Sequence, residues 1–196
     1  MKSKTMPAHH PLADSEIRIL FSKSDIDARI ETLADEIAKG LRSENWQGTG
    51  FVAIAVLEGG FRFSADLLRA LKAHGLSPAL HFITLQSYFA TAQSSGQVNI
   101  LRDLEQDSKG QNVLIVDDIL DSGGTLSFLR ALLYARGAKN IKTAIMIEKD
   151  VPHVKGAVAE FVGFHCPNCF VVGYGMDFAQ HYRDLSFIGV LPEHER

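Results

Sequence analysis

Two adjacent carboxylates, Asp117 and Asp118, stand just ahead of a third, Asp121, in the run VLIVDDILDSGGT at 113–125. An apolar strand leads into the pair, and Asp121-Ser122-Gly123-Gly124-Thr125 leads out into a helical pattern. Two glycines let the backbone turn tightly and let a ligand approach the amides. Free N–H groups at the helix start, with the Ser122 and Thr125 hydroxyls, make an anion site suited to a terminal phosphate. Paired aspartates at the carboxyl end of a sheet strand lie where open α/β folds bind ligands. They can accept hydrogen bonds from a ribose diol and hold hydrated magnesium. A lone D-S-G-G would read as a capped turn whose aspartates complement the helix dipole. The whole thirteen-residue arrangement reads as a sugar-phosphate site instead. No lysine follows the glycines, which excludes a Walker-type loop.

Such a site needs elements that hold it. Residues 22–41 place Ile26, Ile30, Leu33, Ile37 and Leu41 at helical spacing, and Ser22 or Ser24 can cap the start. Residues 51–57 (FVAIAVL) form a continuous β-prone run, as in a strand buried on both faces. Glu58-Gly59-Gly60 breaks it before helical spacing resumes over 61–73. Residues 80–88 read as a second strand and 89–97 as a small, polar, mobile loop. A short buried strand follows at 113–116, then a helix at 125–136 closed by Gly137. Further strands are expected at 141–147, 161–164 and 170–174. Strands alternating with helices give an α/β fold with a parallel sheet and right-handed crossovers. No repeat or linker divides the chain, so residues 16–196 read as one domain and 1–15 as a disordered leader.

A chain of 196 residues can bury a full core. Its net charge of −3 argues against a nucleic-acid partner bound through a broad basic face. No apolar run reaches the roughly 18 residues of a membrane span, and the N-terminus lacks the apolar stretch of a signal peptide. With only Cys166 and Cys169, a disulfide framework is excluded. This pair, C-P-N-C beside His165, has no second C-x-x-C and reads as a reduced turn rather than half a zinc site. The expected setting is cytoplasmic, with no nucleic-acid or membrane partner.

The segment 113–125 resembles the phosphoribosyl pyrophosphate motif of the type I phosphoribosyltransferases. Roughly residues 17–192 are similar to the hypoxanthine-guanine branch of that family. Along them lie LEGG at 57–60, SYF at 87–89, SSGQVNILRDL at 94–104, FVGF at 161–164, FVVGYGMD at 170–177 and YRDLSFIGVL at 182–191. The resemblance implies a central, mainly parallel sheet flanked by helices, with a small hood and a mobile lid loop starting at Ser87 and Tyr88. It implies purine salvage: transfer of the 5-phosphoribosyl group from phosphoribosyl pyrophosphate to N9 of hypoxanthine or guanine, giving IMP or GMP and pyrophosphate. It implies Mg2+ and a homodimer or homotetramer.

The resemblance also assigns roles. Asp117 and Asp118 bind the ribose hydroxyls and magnesium, while Asp121, Ser122, Gly123, Gly124 and Thr125 hold the 5-phosphate. Asp121 is the proton acceptor from purine N7. An aspartate is ionised at neutral pH and suits a cationic sugar in the bond-breaking state. Asp177 is the second magnesium ligand and borders the purine. Phe170 stacks on the base while the Val171 backbone reads its edge. Arg183 binds pyrophosphate together with the Glu58-Gly59 loop, which in the family often contains a non-proline cis peptide. Two departures stand out. Glu58 replaces a common lysine, which should weaken pyrophosphate binding or turn the carboxylate outward. Val158 takes the position of the lysine that reads the purine 6-oxo group, and Lys155 is a substitute donor if its loop folds differently. A phosphoribosyltransferase for another base, or a regulator that kept the fold without the chemistry, are the alternatives.

Overall fold

A computed structural model describes residues 12–46, 50–87 and 98–192. The elements are β1 (Arg18–Phe21), α1 (Lys23–Ser43), β2 (Val52–Leu57), α2 (Phe61–Ala73), β3 (Ala79–Ser87), β4 (Val98–Arg102) and β5 (Asn112–Leu120), followed by α3 (Gly124–Ala135), β6 (Asn140–Lys149), β7 (Phe161–Cys166), β8 (Val171–Val172) and β9 (Ile188–Val190). Helix α1 begins on a reciprocal cap. The Asp25 N–H donates to Ser22 Oγ at 3.2 Å, and the Ser22 N–H donates to Asp25 Oδ2 at 2.9 Å.

The main sheet has the order β4-β3-β2-β5-β6-β7. All neighbours are parallel except β4, which runs antiparallel to β3. Its middle strand shows why the run at 113–116 is unbroken. Leu114 and Val116 pack into the cluster formed with α1 and α2, while Val113 and Ile115 pack into the cluster formed with α3. Both faces are covered, so both sets of side chains are apolar. At the β7 end, Arg29 of α1 donates from Nε to the Gly163 carbonyl at 2.7 Å and from Nη2 to the Val162 carbonyl at 2.8 Å.

A second, antiparallel sheet of order β1-β9-β8 forms the hood. Of the stretch expected as a disordered leader, residues 1–11 lie outside the described residues. From residue 12 the chain is held: the Leu12 N–H donates to Tyr182 Oη at 2.8 Å, and a 3-10 turn spans Asp14–Glu16. Two strand expectations change. The strand expected at 113–116 continues to Leu120, so Asp117 and Asp118 lie within it. The strand expected at 170–174 shrinks to Val171–Val172, because Gly173, Tyr174 and Gly175 all take positive φ and turn the chain. Among the described residues no helix is long and apolar enough to cross a membrane.

Candidate active site

From β2 the chain winds outward to β3 and β4 on one side, then returns to lay β5 on the other side of β2. The segments leaving β2 and β5 therefore diverge, and a crevice opens at the carboxyl ends of these two strands. The LEGG segment leaves β2 and the DSGGT segment leaves β5, so topology alone brings the two motifs together. The Leu57–Glu58 peptide is cis. Gly60 lies on the backbone of β5: an added Cβ would sit 2.6 Å from the Val56 carbonyl and 3.4 Å from Asp117 Cα. A Cβ at Gly59 would overlap the Asp118 carboxylate. Only glycine permits this approach.

Asp117 is buried, and its Oδ1 accepts from the Asp118 N–H at 2.9 Å. Burial raises the Asp117 carboxyl well above the ordinary range, and the Asp118 charge beside it adds to the rise. Burial also raises Asp118. Two desolvated carboxylates side by side are poorly accommodated unless a cation or a hydrogen-bond donor arrives.

Beyond them, Gly123 takes φ +85 at the start of α3, where a Cβ would collide with the Ala157 side chain. No side chain caps this helix. Its first-turn N–H groups lack intrahelical partners and border a cleft of about 180 Å³ lined by Asp121 to Thr125.

A neighbouring cleft of about 200 Å³ is lined by Asp118, Asp121, Lys149, Phe170, Val171 and Asp177. Phe170 is braced edge-on by Phe178, with ring centroids 5.5 Å apart. Lys149 closes β6, and its Nζ donates to Asp121 Oδ2 at 2.6 Å. Strand register explains the meeting, since Leu120 pairs with Glu148 and the next residues are Asp121 and Lys149.

On the other side of the crevice, Arg183 joins three partners. Nη2 lies 2.8 Å from Asp177 Oδ1 and 3.0 Å from Glu58 Oε2, while Nη1 donates to the Gly175 carbonyl at 2.8 Å. Asp177 Oδ2 accepts from the Gln180 N–H at 2.9 Å. Arg62 holds this segment by donating to the Asp184 and Leu185 carbonyls, each at 2.9 Å. Its guanidinium lies 5.4 Å from the Tyr174 ring centroid, and Tyr174 Oη donates to Asp66 at 2.6 Å. Burial raises the Tyr174 hydroxyl far above its ordinary value. The hood is thus docked onto the LEGG segment.

The crevice therefore gathers Glu58, Gly59, Asp117, Asp118, Asp121 to Thr125, Phe170, Val171, Asp177 and Arg183. It does not gather Val158, which corrects its placement against the purine. That side chain is about half exposed, and its carbonyl accepts from Arg130 Nη1 at 3.1 Å. The segment 150–160 packs over the start of α3, where the Val154 N–H donates to the Ser122 carbonyl at 3.0 Å, so Val158 is carried away from the cleft. Lys155 is exposed on the same segment and does not line it either. Lys149 is the residue the sequence alone did not single out. Its signal was positional: a lysine closing an apolar strand next to the strand that bears the aspartates. Ser87 closes β3, with its side chain outside the described residues, and Tyr88 lies outside them altogether.

The phosphoribosyl transferase domain family matches residues 22–179. The chain is 38% identical to the hypoxanthine-guanine phosphoribosyltransferase of Bacillus subtilis over 174 residues, covering 89% of this chain and 92% of that one. Its structure is similar to a Trypanosoma cruzi hypoxanthine phosphoribosyltransferase variant in a ternary substrates complex. The TM-score is 0.82 and the identity 34%, covering 91% of this chain and 96% of that one. The same parasite enzyme in complex with the product IMP gives 0.81 and 35%, covering 94% and 99%. The chain belongs to the phosphoribosyl transferases and, within them, to the hypoxanthine phosphoribosyltransferase family. It is a transferase.

Proposed function

We propose that the protein transfers the 5-phosphoribosyl group of phosphoribosyl pyrophosphate to N9 of hypoxanthine or guanine, releasing pyrophosphate in purine salvage. The observation that carries this reading is the crevice itself. One phosphate-sized anion cleft, one aromatic-walled cleft and one arginine meet around Asp117, Asp118 and Asp121. The 5-phosphate fits the N–H groups of Asp121 to Thr125, and the ribose diol fits Asp117 and Asp118. Pyrophosphate fits Arg183 and the Glu58-Gly59 backbone. The flat base fits against Phe170, with the Val171 backbone at its edge. Lys149 is the cationic donor within that cleft and takes the 6-oxo role that Val158 cannot. Asp121, held by Lys149, is the residue we assign to accept the base proton, and its charge would offset positive charge on the sugar.

The donor set also suits magnesium, since carboxylate oxygens are the hard ligands this ion prefers. Among the described residues, no three His, Cys, Asp or Glu side chains converge to cage a metal. Asp117, Asp118 and Asp177 would hold the ion, with substrate oxygens and water completing its shell. When bound, it neutralises charge on the departing pyrophosphate. Assembly into a homodimer or homotetramer belongs to the same reading. The free thiols of Cys166 and Cys169 suit the reducing cytoplasm.

The test is turnover of labelled phosphoribosyl pyrophosphate against a panel of purines and pyrimidines with magnesium. Hypoxanthine and guanine should be consumed, and Lys149→Met should lose discrimination between 6-oxo and 6-amino purines. No product with any purine would refute the proposal.

A further inference from the structure

The Glu58–Arg183 contact gives the crevice an anion of its own. Glu58 follows β2 directly, and its side chain is largely exposed, whereas Arg183 is mostly buried. The guanidinium has already placed Nη1 on the Gly175 carbonyl, and it spends Nη2 on two carboxylates. Asp177 is fixed by a backbone N–H from Gln180 and is itself mostly buried. Among the described residues Glu58 meets no such anchor, and its side chain reaches into water. Of the two carboxylates, it is the one that can leave.

We propose that Glu58 is a displaceable counter-ion that competes with pyrophosphate for Arg183. This rests on the phosphoribosyl transfer reading of the site. With the crevice empty, the carboxylate keeps the guanidinium oriented and partly neutralised beside Asp177 and Asp118. An incoming diphosphate takes over Nη2, and Glu58 swings toward solvent, leaving a like charge near the bound anion. After transfer the same carboxylate returns and favours departure of pyrophosphate. Glu58 therefore sets how tightly the diphosphate is held, both in the donor and in the product, without touching the base or the reacting carbon. It is a positioning residue. Opposite charges in a half-exposed pair couple modestly, and salt screens them.

Glu58→Gln keeps the length and hydrogen-bonding capacity of the side chain and removes only its charge. The variant should lower KM for phosphoribosyl pyrophosphate by roughly two- to fivefold, and lower the inhibition constant of product pyrophosphate by a similar factor. KM for hypoxanthine should stay within about twofold, and the difference between variant and wild type should shrink at high ionic strength. A residue that merely held the segment together would instead raise KM for the donor and lower the melting temperature. Calorimetric titration of magnesium pyrophosphate into both proteins measures the same exchange without any turnover. Tighter binding by the variant supports the displaceable counter-ion, and equal or weaker binding overturns it. Wild-type turnover of phosphoribosyl pyrophosphate with hypoxanthine is run alongside. Its absence would refute the transfer reading, while the titration would still decide the role of Glu58.

Discussion

Removing the charge at either end of the Asp121–Lys149 pair should have unequal consequences, because the two ends see different amounts of water. The Lys149 side chain is 9% exposed and that of Asp121 44%, with 2.6 Å between Nζ and Oδ2. Asp121→Asn leaves an ammonium group nearly out of water with only a neutral acceptor. A hydrogen bond to a charged group is worth about 1.5–3 kcal/mol, so that range is the expected loss of stability. Lys149→Met leaves a carboxylate that water already reaches and puts an apolar chain of similar length into a buried slot. Its cost should be about 0–1 kcal/mol. Near the melting point of a domain of this size, 2 kcal/mol corresponds to roughly 4–8 °C, so thermal and urea denaturation resolve the two variants. Asp121→Asn should also reduce turnover by about 10²–10⁴-fold, the usual range for a group that accepts the reacting proton. Initial rates of phosphoribosyl pyrophosphate consumption measure it. Near-normal turnover in Asp121→Asn would remove Asp121 as proton acceptor. A larger stability loss in Lys149→Met would show that the burial asymmetry does not govern the pair.

Gly59→Ala should abolish most turnover while leaving a folded protein, since the added Cβ would overlap the Asp118 carboxylate at the crevice rather than in the core; circular dichroism paired with rate measurement checks it. Turnover should require magnesium or manganese, and Asp177→Ala should raise the concentration needed, whereas full activity in excess chelator would contradict the mechanism. Burial pushes the Cys166 thiol up to about 11. The neutral form is favoured by the fold, so that stability is fully present below the ordinary thiol range near pH 9. It is lost as pH rises toward 11, and the loss should be absent from Cys166→Ala in urea titrations across that window. Under native conditions at pH 8, the partly exposed Cys169 should react with a thiol reagent before the buried Cys166, as peptide mapping would show.

The parts of the site that sit on one continuous segment were legible in the sequence. Apolar run, carboxylates, glycines and helix start in 113–125 form a local pattern, and the strand and helix that carry it follow from burial periodicity. Residues that meet through the fold were harder to read. Lys149 reaches Asp121 only because β6 lies parallel to β5 in one register, and no spacing along the chain reveals a register. Val158 illustrates the converse error. Counting back without gaps from Phe161 puts it at a lysine position, but the segment 150–160 folds over α3 and turns the side chain outward. The hood strands β1 and β9 escaped notice, since four and three residues are too few for a period of two to stand out, and β8 is shorter than the strand expected there. Glu58 was visible as a departure, while its pairing with Arg183 needed the hood docked on the LEGG segment.

The Arg29 side chain has a bearing on solubility. Strand β7 ends the main sheet, and a terminal strand offers backbone groups to any extended peptide that comes by. Arg29 takes up the Val162 and Gly163 carbonyls there, and its guanidinium is held in turn by Glu36, with Nη1 and Nη2 2.8 and 2.9 Å from the two carboxylate oxygens. An intruding strand would have to strip a charged donor from those acceptors before it could pair. The helix that buries the core thus also guards the sheet margin against edge-to-edge association, through one residue whose loss would leave the active site untouched.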